Sequence, residues 1–172
     1  MEKPGSKLKK MLFCVPVVFW LLCGTAAWSQ DKARLVLKTE VAKELRIKEK
    51  GKETVRYVPV NETKPKDVLA YSITYRNEGR TPAVGASIVD PIPKGTVYIA
   101  GSATGKDAVI SFSIDGGTTY QRPPVCYTVI KPDGTREERE APPEMYTHIR
   151  WMMENPISPG MSGDIGFRVR IE

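Results

Sequence analysis

The sequence predicts an all-β fold, an antiparallel β-sandwich of about eight strands, on two observations. Apolar residues recur with a period of two through most of residues 30–172, which places them on one face of a pleated strand. Turn-forming clusters interrupt those runs at the spacing of a sandwich and not of a βαβ repeat. With 172 residues in all, there is room for one domain with its own core once the first segment is set aside.

That first segment, residues 1–29, reads as a signal peptide. Lys3, Lys7, Lys9 and Lys10 form a basic start, residues 11–23 are a charge-free apolar run, and Ala27 and Ser29 suit cleavage before Gln30. The alternative is an uncleaved anchor, because residues 11–28 almost reach the length that spans a bilayer. Leu22 before Cys23 argues against lipid attachment, which needs a small residue there. In each version the basic end stays inside and residues 30–172 emerge outside as a single domain, with no membrane span after cleavage.

Strands follow in order. Leu35, Leu37, Val41, Leu45 and Ile47 occupy odd positions opposite mostly polar even ones, although the Glu and Lys content from Glu40 to Lys50 also suits a short helix. Leu69, Tyr71, Ile73 and Tyr75 alternate with Ala70, Ser72, Thr74 and Arg76; Ile110, Phe112 and Ile114 alternate with Ser111 and Ser113. The final run sets Ile165, Phe167, Val169 and Ile171 against Gly166, Arg168, Arg170 and Glu172. Between the runs lie Asn77-Glu78-Gly79, Pro91-Ile92-Pro93-Lys94-Gly95, Asp115-Gly116-Gly117, Pro132-Asp133-Gly134 and Ser158-Pro159-Gly160, all rich in turn formers. The charged, proline-bearing stretch 131–144 reads as a solvated loop or hairpin tip.

The net charge of +6 belongs partly to the leader; residues 30–172 carry 22 basic against 19 acidic residues. Nine of those basic residues (Lys32, Arg34, Lys38, Lys43, Arg46, Lys48, Lys50, Lys52 and Arg56) crowd the first strands. They form either a patch for an anionic surface or the solvated face of a strand. Cys14 and Cys23 lie in the leader, so the domain keeps only Cys126, which cannot form an internal disulfide and reads as a small buried hydrophobe, with an intermolecular bridge as the alternative.

Ser113-Ile114-Asp115-Gly116-Gly117-Thr118-Thr119-Tyr120 fits the Asp-box pattern Ser-x-Asp-x-Gly-x-Thr-aromatic. Its role is structural: Asp115 accepts backbone N–H groups, Gly117 supplies positive φ, and the aromatic packs beneath. His148, the one histidine, has no partner at zinc-ligand or triad spacing and falls on the face opposite Ile149 and Trp151, so it reads as solvent-facing. Asp90, Asp107, Asp115, Asp133 and Asp164 are scattered one per turn, without the dense spacing that encloses calcium. Asn61-Glu62-Thr63 is a formal glycosylation acceptor. Neither a phosphate loop nor an aromatic-basic stripe for nucleic acid is present, and no cofactor or metal set is expected. With no nucleophile or acid–base pair legible, the chain does not read as an enzyme.

Read together, three stretches resemble one family. Asp67-Val68-Leu69-Ala70-Tyr71-Ser72-Ile73-Thr74-Tyr75-Arg76-Asn77-Glu78-Gly79 is similar to the D-x-x-x-Y-x-I-x-x-x-N-x-G strand of the conserved-repeat domain, catalogued as domain of unknown function eleven. Asp90-Pro91-Ile92-Pro93, then Gly95-Thr96-Val97-Tyr98, follows its DP-x-P-x-G-T-x-Y segment. Ile149-Arg150-Trp151, Pro159-Gly160 and Phe167-Arg168-Val169 follow its closing strands. Lys66 stands where that family carries Gly.

The resemblance covers residues 66–172 and implies an immunoglobulin-like sandwich of envelope or surface proteins, often arrayed, with no catalytic residues. It makes Tyr71, Ile73, Pro91, Pro93, Tyr98, Trp151, Phe167 and Val169 core and turn positions, beside Asp115 and Gly117 of the Asp box. The expectation is a non-catalytic structural or interaction module of the bacterial cell envelope, exported to the periplasm or cell surface. Its partner would be another envelope protein or a surface polymer. The alternative is a carbohydrate- or anionic-polymer-binding module using one sandwich face and the basic first strands.

Overall fold

A computed structural model describes residues 32–49 and 51–172; the expected signal peptide and Lys50 lie outside the described residues. The described chain is all β. Its strands are β1 (Leu35–Glu49), β2 (Lys52–Pro59), β3 (Val68–Asn77), β4 (Ser87–Pro91), β5 (Thr96–Tyr98), β6 (Thr104–Gly105), β7 (Ala108–Ser113), β8 (Cys126–Ile130), β9 (Arg136–Glu140), β10 (His148–Met153) and β11 (Ser162–Ile171), with one 3-10 turn at Pro143–Met145. The count exceeds the eight expected because β5 and β6 span only three and two residues, and because β9 folds back on β8 from within the charged stretch 131–144. Pro132-Asp133-Gly134 is the tip of that hairpin.

Two antiparallel sheets form the sandwich. The larger runs β2-β1-β3-β11-β5, with β6 also on β11; the smaller runs β4-β10-β7; β8 and β9 pair only with each other. The segment from Glu40 onward is strand and not helix: β1 is hydrogen-bonded to β3 along one side and to β2 along the other, and those two ladders override its helical composition.

The core lies between the sheets. Leu69 and Ile73 of β3 and Ile165, Phe167 and Val169 of β11 face Ile88 of β4, Phe112 of β7, and Ile149, Trp151 and Met153 of β10, all buried. Trp151 is fully buried and its indole Nε1 donates to the Thr104 carbonyl at 3.0 Å, which supplies the partner a buried indole requires. Half-buried Tyr71 stacks on Phe167 at 4.8 Å, and Tyr98, Phe112 and Tyr146 form a second aromatic group.

One expectation needs correction. The alternating apolar residues of β1 are not a buried face: Leu37, Val41 and Leu45 are 48, 38 and 38 % exposed. They share a face with the core residues of β3 (Val41 lies opposite Tyr71, Leu37 opposite Tyr75), but the three-stranded sheet does not reach over them. Of the two turn prolines, Pro91 is exposed at the end of β4 and Pro93 half-buried, while Ile92 between them is the buried residue. The Pro93 carbonyl accepts from both the backbone N–H and the hydroxyl of Thr96, which closes the turn into β5.

Candidate functional site

The Asp box is a closed structural turn. Ser113 Oγ donates to Asp115 Oδ1 at 2.7 Å and accepts from the backbone N–H of Asp115 and Gly117. The Asp115 carboxylate accepts from the backbone N–H and hydroxyl of Thr119; these donors, Thr119 foremost, hold its carboxyl well below the usual carboxylate range. Gly117 has φ +87°, and Tyr120 lies against it beneath the Arg150 guanidinium, 4.3 Å from the ring centroid. A backbone bridge between Phe112 and Gln121 closes the loop. The side-chain oxygens of Ser113, Asp115, Thr118 and Thr119 are all engaged within the turn.

The other sequence candidates stay apart. His148 is half-buried, not fully solvent-facing; Nδ1 is 3.1 Å from Thr147 Oγ1, and the glycine turn lies beside its ring. Asp133 caps the β8–β9 tip through Thr135, and Asp164 accepts from the Thr74 hydroxyl. Burial holds the Asp90 carboxyl above its ordinary value, with His148 acting in the opposite sense. Cys126 is half-buried at the start of β8 and not a core residue. Burial, and then the Glu138 and Glu140 carboxylates, push its thiol up, away from the reactive thiolate. Among the described residues no group of three His, Cys, Asp or Glu could hold a metal ion, and no helix is long and apolar enough to cross a membrane.

One structural residue was hidden inside a turn signal. Asn77 is completely buried; its amide Nδ2 donates to the carbonyls of Thr81 and Ile157, and Oδ1 accepts from the backbone N–H of Arg34 and Gly79. All four hydrogen-bonding positions of the amide are used, tying the chain before β1, the turn after β3 and the segment before β11 to one side chain.

A groove lies on the outer face of the larger sheet. Adjacent registers there read Glu40–Ser72–Gly166–Thr104 and Ala42–Ala70–Arg168 across β1, β3, β11 and β6. Small side chains in the middle of these rows leave a groove of about 610 Å³, within the size range of small-molecule sites. Tyr57 of β2, 59 % exposed, lines one wall; Ser102 and Thr104 line the opposite one; Glu40, Asp164 and Arg168 supply charge. Gly166 is required by close approach, since a Cβ there would meet the Tyr71 carbonyl oxygen at 2.6 Å.

The groove is held rigidly. Glu44, its side chain 1 % exposed, carries a buried carboxylate on this face that receives Arg168 Nη1 at 3.1 Å and Arg46 Nε at 3.4 Å. Arg168 is thereby held across the face of the sheet. Ser102 Oγ donates to the Arg168 carbonyl and accepts from its N–H, pinning the wall loop to β11.

Five of the nine basic residues at the start of the domain have carboxylate partners. Lys38 pairs with Glu40 at 2.7 Å, Lys43 with Asp67 at 2.6 Å, Arg46 with Glu44, Arg56 with Glu49 at 2.5 Å, and Arg34 with Glu78 at 3.9 Å. Lys66 adopts φ +75°, a left-handed conformation at a non-glycine residue, and its N–H donates to the Ile171 carbonyl at 2.8 Å. No protein-family model, no curated protein and no solved structure matches the chain.

Proposed function

We propose that the domain is a non-catalytic interaction module of the bacterial cell envelope, exported across the inner membrane and working in the periplasm or at the cell surface, in the manner of the conserved-repeat domains it resembles. The observation that carries this reading is the outer-face groove: an open concavity whose charged wall is pre-positioned by a buried carboxylate, on a sheet whose opposite face holds the core. The polar side chains of Ser113, Asp115 and Thr119 are engaged with one another in a turn. Recognition needs a rigid, shaped and desolvatable surface more than it needs reactive groups.

The use of the basic first strands for an anionic polymer has less support, because five of those cations already have carboxylate partners, and a paired charge contributes little to long-range attraction.

The full chain, expressed with its own leader, is expected to co-sediment with isolated bacterial envelope material. Ser72→Arg, which fills the groove from an exposed position, should remove most of that bound fraction. Equal sedimentation of the two proteins, or no sedimentation of either, would overturn the reading.

A further inference from the structure

We infer that the outer-face groove binds a neutral, hydroxyl-rich chain, a segment of uncharged glycan. The inference rests on the interaction-module reading and names the chemistry of its ligand. Its first ground is charge. Glu44 is shared by Arg168 and Arg46, Glu40 is paired with Lys38, and Asp164 accepts from the Thr74 hydroxyl, so the charges along the groove balance. An anionic polymer laid there would find no excess of positive charge to hold it. Sugar hydroxyls are donors as well as acceptors. Carboxylates accept from them, and the remaining N–H groups of a fixed guanidinium donate to them.

The second ground is the aromatic wall. Tyr57 is a large, mostly exposed ring on the edge strand, and it faces the groove beside Ala42 and Ala70. A flat amphipathic ring on an open sheet face offers apolar contact area at low entropic cost. The C–H face of a pyranose has the matching character, apolar on its flat side and polar around its rim.

The third ground excludes an extended peptide. β3, at the centre of the floor, is hydrogen-bonded to β1 on one side and to β11 on the other along nearly its whole length, so the middle of the groove offers no unpaired backbone for strand addition. A peptide lying across the face would bury amides with few partners, at a cost of the kind every unsatisfied polar group carries. From β2 to the β6 side the groove crosses four strand spacings, on the order of 15 to 20 Å, which asks for several sugar units and not one.

The test is direct titration of the full chain with cellohexaose, mannohexaose and chitohexaose, beside an oligogalacturonate and a hexa-alanine peptide as comparators, followed by backbone NMR. At least one neutral hexasaccharide should bind and shift the amide signals of Ala70, Ser72 and Gly166, with an affinity that holds as salt is raised. Tyr57→Ala should weaken it about tenfold, Asp164→Asn should weaken it less, and Ser72→Arg should abolish it. Absence of binding by all three neutral probes overturns the inference, as does preference for the oligogalacturonate or the peptide, or an affinity indifferent to Tyr57→Ala. If envelope co-sedimentation is still abolished by Ser72→Arg while no neutral probe binds, the ligand class alone is wrong. If co-sedimentation is also indifferent to the groove, the interaction reading falls with it.

Discussion

The two faces of β3 and β11 are built from alternate residues of the same two strands and could hardly differ more. Inward, Leu69, Ile73, Ile165, Phe167 and Val169 are all at or below 7 % exposure. Outward, Ala70, Ser72 and Gly166 leave a groove bounded by Tyr57 and Arg168. A solvent-facing sheet surface ordinarily carries long polar or β-branched side chains, which stabilise it by cross-strand contact. Forgoing them costs sheet stability that the inner face has to supply. Stability and recognition are thus divided between opposite sides of one sheet, and substitutions should sort accordingly.

The largest effect is expected at Trp151. Truncation to Ala removes a fully buried ring and orphans the Thr104 carbonyl, and should cost about 3 to 5 kcal/mol in urea denaturation; a near-native melting midpoint would mean that the inner face does not carry the fold. Asn77→Ala comes next, at about 2 to 4 kcal/mol, because four backbone groups at a buried junction each lose a hydrogen bond. Calorimetry on that variant checks it, and a loss under 1 kcal/mol, small on the scale of such deletions, would demote Asn77 to an ordinary turn residue.

A subtler effect belongs to Asp90. Burial raises its carboxyl pKa in the folded chain, so the folded form holds that proton more tightly than the unfolded one. Its contribution to stability is complete below the unfolded pKa and is lost as pH rises through the raised folded value. Asp90→Asn should therefore gain on the wild type as pH rises through the carboxylate range, measured by denaturant midpoints across a pH series. The opposite trend would show that His148 outweighs burial. Asp115 has the reverse sign: its lowered pKa contributes stability above the ordinary carboxylate value that is lost on acidification. Smallest of all, Ser72→Arg on the outer face should stay within about 0.5 kcal/mol of wild type, so that its loss of binding cannot be assigned to unfolding.

Much of the inner face was legible in the sequence. The period-two runs of β3, β7 and β11 mark residues that meet in the core, and the Asp box was readable because its partners lie within eight consecutive residues. The rest depended on tertiary placement. Alternation in β1 reports which residues share a face but not whether a second sheet extends over it, so Leu37, Val41 and Leu45 read as core and are exposed. Asn77 looks like a turn former because its local partner Gly79 is two residues away, while Ile157 is eighty away. The groove was invisible for the same reason: Ala42, Ala70, Ser72 and Gly166 become neighbours only through strand register, and small residues carry no periodic signal of their own.

The position of Tyr57 has a dynamic consequence. β2 is the end strand of its sheet, hydrogen-bonded to β1 alone, and most of its side chains are exposed. Its amides should exchange with solvent through local fraying well before those of β3 or β11, which open only with the whole domain. One wall of the groove is therefore the most easily opened strand of the larger sheet, and the other side is fastened to β11. A ligand gripping both would slow exchange along β2, turning the least protected edge of the sheet into its reporter of occupancy.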